Sequence, residues 1–185
     1  MPEQTILIIR HAEKPKPGAD SGVDSTGAPD PRSLTVRGWQ RAGAWAELFV
    51  PALGQKSALP TPTTLFASDP TGHHHGSKSR RPEETITALA KKLDRAINLD
   101  FTKGQEDDLA VAIAEIHPVA LVCWEHEDIP AISRALAPDL QDIPVVWPGD
   151  RFNAIFRFRR PDRNAPWSFD QVVPVMLQGD KTESI

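Results

Sequence analysis

The sequence has no tyrosine and one cysteine among 185 residues. Cys123 alone cannot form an intrachain disulfide, so the fold has to rest on an apolar core. That usage fits a reducing compartment, and the expected location is cytoplasmic. No apolar run approaches the roughly 20 residues of a membrane span. Met1-Pro2-Glu3-Gln4 puts no basic stretch before the short apolar run, so no signal peptide is expected. Positive charge is not in excess either. A formal net charge of −4 argues against general binding to nucleic acid or anionic membranes, and any affinity for anions must be local. With 39% hydrophobic and 25% charged residues, the chain reads as one ordinary domain spanning residues 1–185.

What is present concentrates at Thr5-Ile6-Leu7-Ile8-Ile9-Arg10-His11-Ala12-Glu13-Lys14-Pro15. Four aliphatic residues in a row read as a short strand buried on both faces, although periodicity alone also admits a buried helical turn. Pro15 and Pro17 stop a helix from running on through the turn after His11. Arg10 and His11 are therefore expected at the C-terminal end of a central strand, where open α/β sheets place ligands. A guanidinium fork beside a nucleophilic imidazole suits an anion.

Residues 15–33 are rich in Pro, Gly, Asp and Ser and predict a long surface loop. Thr35 is placed to cap a helix with Val36, Trp39, Gln40, Ala42, Gly43, Ala46, Leu48, Phe49 and Val50 on its packed face, ending before Pro51. Residues 63–67 predict a second strand. A polar loop with His73-His74-His75 leads to a helix from Arg80 or Arg81 to about Asp94, with Pro82 in its first turn and Glu83 and Glu84 complementing its dipole. Residues 106–116 predict another helix, 118–124 a buried strand, and 129–137 a further helix. Short strands are expected at 145–147, over 152–159, and over 171–177, where Pro174 implies an edge or bulge. Strands alternating with helices imply an α/β layered sheet.

Three strand ends then carry reactive groups: Arg10-His11, the loop leading to Arg81, and His126-Glu127. Two histidines, two arginines and an acid together suit phosphoryl transfer. One imidazole attacks phosphorus, the cations neutralise the phosphoryl oxygens, and the acid protonates the leaving oxygen. An Arg about 4 Å from a phosphoryl oxygen gains roughly 4 kcal/mol at an effective dielectric near 20. Two or three pre-positioned contacts of this kind hold a dianion without a metal.

These motifs resemble the histidine phosphatase superfamily, also called phosphoglycerate mutase-like. Arg10-His11-Ala12-Glu13 resembles its Arg-His-Gly signature, and Leu34-Thr35-Val36-Arg37-Gly38-Trp39-Gln40-Arg41-Ala42 its first helix start. Ala67-Ser68-Asp69-Pro70 followed by Arg81-Pro82-Glu83-Glu84-Thr85 resembles the strand, loop and helix that carry its second phosphate Arg. Val122-Cys123-Trp124-Glu125-His126 resembles the strand delivering its second His. The likeness spans roughly residues 5–137. It implies a three-layer α/β/α sandwich with a mostly parallel central sheet, and a metal-independent phosphomonoesterase without a cofactor. By the same resemblance His11 is expected to become the phosphohistidine, and Arg10, Arg81 and His126 to form the phosphate pocket. Lys14 stands where the acid phosphatase branch has another Arg, and Glu127, directly after the second His, is the expected proton donor, with Glu13 as the alternative. Ala12 in place of Gly, the histidine-bearing insertion before Arg81, and Trp124-Glu125 ahead of the second His depart from the family pattern.

Other readings remain open at the level of sequence. A phosphoglycerate mutase-type transferase uses the same groups, and a phosphate- or phosphoprotein-binding module needs only the pocket. The expected partner is a small phosphorylated substrate or a phosphoprotein. A metal hydrolase would draw on His73 to His75, although no carboxylate-His spacing supports it. Arg157, Arg159 and Arg160 read as a solvated strand face, and Cys123 as an inert packing residue.

Overall fold

Ile6, Leu7, Ile8 and Ile9 are completely buried, and they divide between two cores because successive strand residues point to opposite faces. In the computed structural model, which describes residues 3–52, 55–71 and 78–185, they lie in β1 (Gln4–Arg10). Ile6 and Ile8 pack with Phe66 and Val122 against Leu109, Ile113, Ile129 and Ile132. Leu7 and Ile9 pack with Leu65 and Leu121 against Trp45, Phe49, Ile86 and Leu89. Each such side chain contributes about 1.5–3 kcal/mol on burial.

The helices that complete these cores are α1 (Val36–Phe49) and α2 (Arg81–Leu93) on one face, and α3 (Glu106–Ile113) and α4 (Ile129–Leu136) on the other. With β2 (Thr64–Ala67), β3 (Ile97–Asn98), β4 (Val119–Trp124), β5 (Ile155–Arg160) and β6 (Ser168–Val172), they make a three-layer α/β/α sandwich. The sheet order is β3-β2-β4-β1-β5-β6. The pairs β3–β2, β2–β4 and β4–β1 are parallel, and β1–β5 and β5–β6 are antiparallel. No helix of the described residues is long and apolar enough to cross a membrane.

Register levels the strand ends. Arg10 lies opposite Trp124, and Ala67 opposite Cys123, so the residues after β1, β2 and β4 emerge along one edge. Thr35 caps α1 as expected, its hydroxyl accepting from the Gly38 N–H at 3.1 Å. The buried face of α1 differs from the expected one: it is Gly38, Arg41, Ala42, Trp45, Ala46 and Phe49, a clean three-and-four spacing, and Val36 is exposed.

The C-terminal third departs most from expectation. Residues 145–147 form no strand. Val145 and Val146 are about two-thirds exposed, and only Trp147 turns inward, its indole N–H donating to the Arg151 carbonyl at 2.8 Å. β5 starts at Ile155 rather than 152, because Phe152 and Asn153 serve other partners. β6 occupies 168–172, earlier than expected and ending before Pro174, though it is an edge strand as anticipated. β3 was not anticipated; two residues suffice for it because it is an edge strand supported by β2. Arg157 and Arg159 are not merely solvated, since both pair with Asp170 across β5–β6, and Arg160 donates to the Ala114 carbonyl at 2.7 Å.

Gly38 fixes how closely α1 approaches the turn after β1. A Cβ there would lie 2.7 Å from the Glu13 carbonyl oxygen, whereas a Cβ at exposed Gly43 would meet nothing within 4 Å. Gly38→Ala should destabilise the protein by about 1–3 kcal/mol through overpacking. Gly43→Ala should stabilise it by about 0.5–1 kcal/mol, since glycine is costly inside a helix. Urea unfolding midpoints of the two variants check both signs.

Candidate active site

Arg10 ends β1 with its side chain wholly inside the protein. Nη1 donates to the carbonyls of Pro148, Gly149 and Arg151 at 3.2, 2.9 and 3.3 Å. The guanidinium lies over the Phe152 ring at 3.9 Å, a cation–π contact. Nε and Nη2 have no partner. Burial lowers the Arg10 pKa to about 10, so it stays a cation at neutral pH. The loop at 147–152, absent from the sequence expectations as a functional element, is therefore the cradle of this charge.

His11 comes next, almost fully buried, its backbone N–H tied to the Trp124 carbonyl at 3.0 Å. Its Nδ1 is 2.7 Å from the Ala12 carbonyl oxygen. A carbonyl only accepts, so Nδ1 carries the proton and Nε2 keeps its lone pair. Burial first, and then the Arg10 charge, push the His11 pKa well below the usual range, with Arg81 and His126 adding to the effect. Ala12 needs no unusual backbone in place of glycine, since Asp94 is the one non-glycine residue with positive φ among those described. Its N–H donates to the Thr85 hydroxyl at 2.8 Å, and that hydroxyl donates to the Arg81 carbonyl at 2.6 Å, which ties the start of α2 to the His11 turn.

Arg81 opens α2 half-buried, with an unpartnered Nε and a long contact from Nη2 to the Pro31 carbonyl at 3.5 Å. Its neighbour Arg80 turns outward to Asp30 at 3.7 Å. His126 faces His11 edge-on, ring centroids 6.4 Å apart and planes at 88°. Burial and then Arg10 lower its pKa from the usual 6.5 to about 4. Arg10, His11, Arg81 and His126, drawn from three separate segments, thus converge on one edge of the sheet.

No protein-family model matches the chain, and no curated protein matches it. Solved structures do. A phosphoglycerate mutase from Plasmodium falciparum superposes with a TM-score of 0.58 at 12% identity over 100% of both chains. A mycobacterial glucosyl-3-phosphoglycerate phosphatase gives 0.56 at 14% identity, over 90% of this chain and 97% of that one. The protein histidine phosphatase SixA, complexed with tungstate, gives 0.56 at 16% identity, over 92% and 97%. The chain has the phosphoglycerate mutase-like, or histidine phosphatase, fold. At these identities the likeness establishes the architecture, and any chemistry has to be argued from the side chains.

Within this histidine phosphatase fold the carboxylates near the site differ sharply. Glu13 accepts from Arg41 Nε and Nη2 at 2.8–3.0 Å and pairs with Arg37 at 3.3 Å. Arg41 also holds Asp180, which accepts from the Met176 and Leu177 N–H groups. Glu127 is 63% exposed and paired with Lys103 at 3.1 Å, which lowers its pKa. Lys14 is exposed and lines a cavity of about 470 Å³ with Lys16, Arg37, Phe152 and Lys181; its charge adds to the depression of His126. Glu125, which the sequence motif contains without an assigned role, is 7% exposed, and one of its oxygens is unpartnered. The only sequence signal for it was an acid in line with a fully buried strand. His73, His74 and His75 lie outside the described residues. Among the described residues no group of three or more His, Cys, Asp or Glu side chains is arranged to hold a metal.

The two lowered histidines have a measurable consequence. Both bind a proton in the unfolded chain near pH 6.5 and resist it in the folded one, so the unfolded state holds more protons below that pH and stability falls as pH falls. For His126 the window runs from 6.5 down to about 4. The slope is at most about 1.4 kcal/mol per pH unit from buried His11, and less from half-buried His126, where solvent screens the charge. Thermal melts across this interval should show a smaller acid loss in a His11→Asn/His126→Asn double variant than in the wild type.

Proposed function

We propose that the protein is a metal-independent phosphatase that hydrolyses a phosphomonoester through a phosphohistidine on His11. The observation that carries this is the arrangement around one neutral imidazole. Nδ1 is pinned by the Ala12 carbonyl, which leaves Nε2 as the nucleophile, and Arg10 and Arg81 each keep a buried N–H without a partner. Two positive charges match a phosphoryl dianion, and His126 closes the pocket. Lys14 adds charge at longer range, from the lining of the neighbouring cavity. That cavity is of a size for a small phosphorylated molecule.

In the first step Nε2 attacks phosphorus in line, the P–N bond forms, and the P–O bond to the leaving group breaks. The imidazolium so created keeps its proton on Nδ1, which donates to the Ala12 carbonyl. Water then attacks phosphorus, the P–N bond breaks, and phosphate leaves with His11 neutral again. The arginines hold the phosphoryl oxygens throughout, which is positioning and electrostatic stabilisation rather than further covalent chemistry.

Hydrolysis of an aryl phosphate by wild type and His11→Ala, each with and without EDTA, tests this reading. Turnover in the wild type should resist chelator and fall to background in His11→Ala, and acid-labile phosphate should be trapped on the wild type alone. Arg81→Leu should lower kcat/KM by about 10²–10³-fold, the cost of one lost oxyanion donor. Turnover that survives His11→Ala would sink the mechanism. Vanadate binding without turnover in the wild type would favour a phosphate-binding module. Transfer of the phosphoryl group back to substrate in place of water would make it a mutase.

A further inference from the structure

Departure of an alkoxide or phenoxide needs a proton, and a donor must carry one at working pH. The candidate acids differ in that capacity. Glu13 is gripped by Arg41 and Arg37, and Glu127 by Lys103. Both are paired carboxylates in the resting protein. Glu125 is not: Oε1 accepts from the Ser68 hydroxyl at 3.2 Å, and buried Oε2 has no partner. Resting on the phosphatase reading above, we propose that Glu125 is the acid that protonates the leaving oxygen.

Its position supports this from every side. Glu125 leaves β4 directly before His126, and Ser68 leaves β2 next to it. From α2, Arg81 feels the Glu125 charge more than that of any other acid, and Arg81 in turn acts on His11. Lys103, ahead of α3, is the other nearby cation, but its ammonium is committed to Glu127 and Asp128 at 3.1 and 3.0 Å. Asp128, before α4, adds negative charge, and Cys123 in the same strand is a buried thiol. Burial raises the Glu125 pKa from its ordinary value; its own backbone N–H, the Ser68 hydroxyl and the Lys103 charge oppose this less strongly, and Asp128 adds a little to the rise. An orphaned buried carboxyl oxygen demands a reason. A proton held there and offered to the bridging oxygen of a bound phosphoester supplies one.

The proton balance is simple. As the P–O bond breaks, its electron pair stays on the leaving oxygen, which takes the Glu125 proton and departs as an alcohol or phenol. The Glu125 carboxylate then removes a proton from the water that attacks phosphohistidine. When the P–N bond breaks, Glu125 is again protonated and His11 neutral.

The test compares p-nitrophenyl phosphate, whose leaving group needs little help, with phenyl phosphate, whose leaving group needs more. In Glu125→Gln, kcat/KM for phenyl phosphate should fall by about 10²–10⁴-fold, with a much smaller loss for p-nitrophenyl phosphate. The descending alkaline limb of the wild-type profile should vanish, and Glu125→Asp should restore part of the phenyl phosphate rate. Vanadate affinity and melting temperature, close to those of the wild type, would show the pocket intact. In Glu127→Gln the two substrates should change by a common factor. A common factor for both substrates in Glu125→Gln would overturn the assignment, leaving Glu125 at most a support for Arg81. Leaving-group dependence that appears in Glu127→Gln or Glu13→Gln instead would also overturn it. Absence of turnover in the wild type would overturn the phosphatase reading itself, a different failure from either of these.

Discussion

The burial of the Arg10 charge is the constraint around which the rest of the molecule is arranged. A guanidinium taken out of water without a paired carboxylate costs several kcal/mol unless other groups replace its hydration. Here three carbonyl oxygens from the 148–151 loop and the face of Phe152 do so. Glu13 and Asp150 contribute only through space. The replacement is incomplete, since Nε and Nη2 stay unpartnered. An anion that satisfied them would relieve a cost the fold already carries, which is the physical basis of the phosphate site proposed above. Burial first, and then the same charge, disfavour protonation of His11 and His126, so one buried cation acts on both the proposed phosphate pocket and the proposed nucleophile.

Holding that geometry takes more than the sheet. The close approach of Gly38 to the Glu13 backbone lets α1 sit directly against the turn after β1. Arg41, one helical turn on, bridges Glu13 to Asp180 and so ties the C-terminal segment to the same turn. Asn153 adds to the tie, donating to the Pro174 and Lys181 carbonyls at 2.9 and 2.8 Å. Thr85 links α2 to Ala12 from the other side. Each connection is a buried polar group satisfied by a specific partner, and such groups position far more than they stabilise.

Much of this was legible in the sequence where local and global signals agree. β1 and β4 are short apolar runs that read as buried strands, α2 opens with proline and two acids, and α1 has its threonine cap. The convergence of Arg10, His11, Arg81 and His126 followed from placing three strand ends on one edge. What was illegible depends on tertiary partners. Phe152 alternates like a strand residue, yet it is the floor beneath Arg10. Val145 and Val146 have strand propensity but no neighbouring strand to pair with, so only Trp147 was drawn in. Arg41 reads as a surface cation until Glu13 and Asp180 are seen on either side of it. Glu125 and Glu127 are near-equivalents in one dimension, two residues apart across His126. The structure separates them: burial raises the pKa of Glu125, and Lys103 lowers that of Glu127.

That separation bears on how one edge of a sheet can run both halves of a phosphoryl transfer at neutral pH. The nucleophile must be an unprotonated base and the donor a protonated acid, which inverts the ordinary order of histidine and glutamate. Water cannot maintain that inversion, but burial can, because it penalises the charged form of each group. For His11 burial and the adjacent cations act in the same direction, so neutrality is secure. For Glu125 the hydrogen bonds from its own backbone N–H and from Ser68, and then the Lys103 charge, oppose burial, and burial outweighs them. On this account the pairing of Lys103 with Glu127 and Asp128 serves the site indirectly, by limiting that cation to a through-space effect on Glu125.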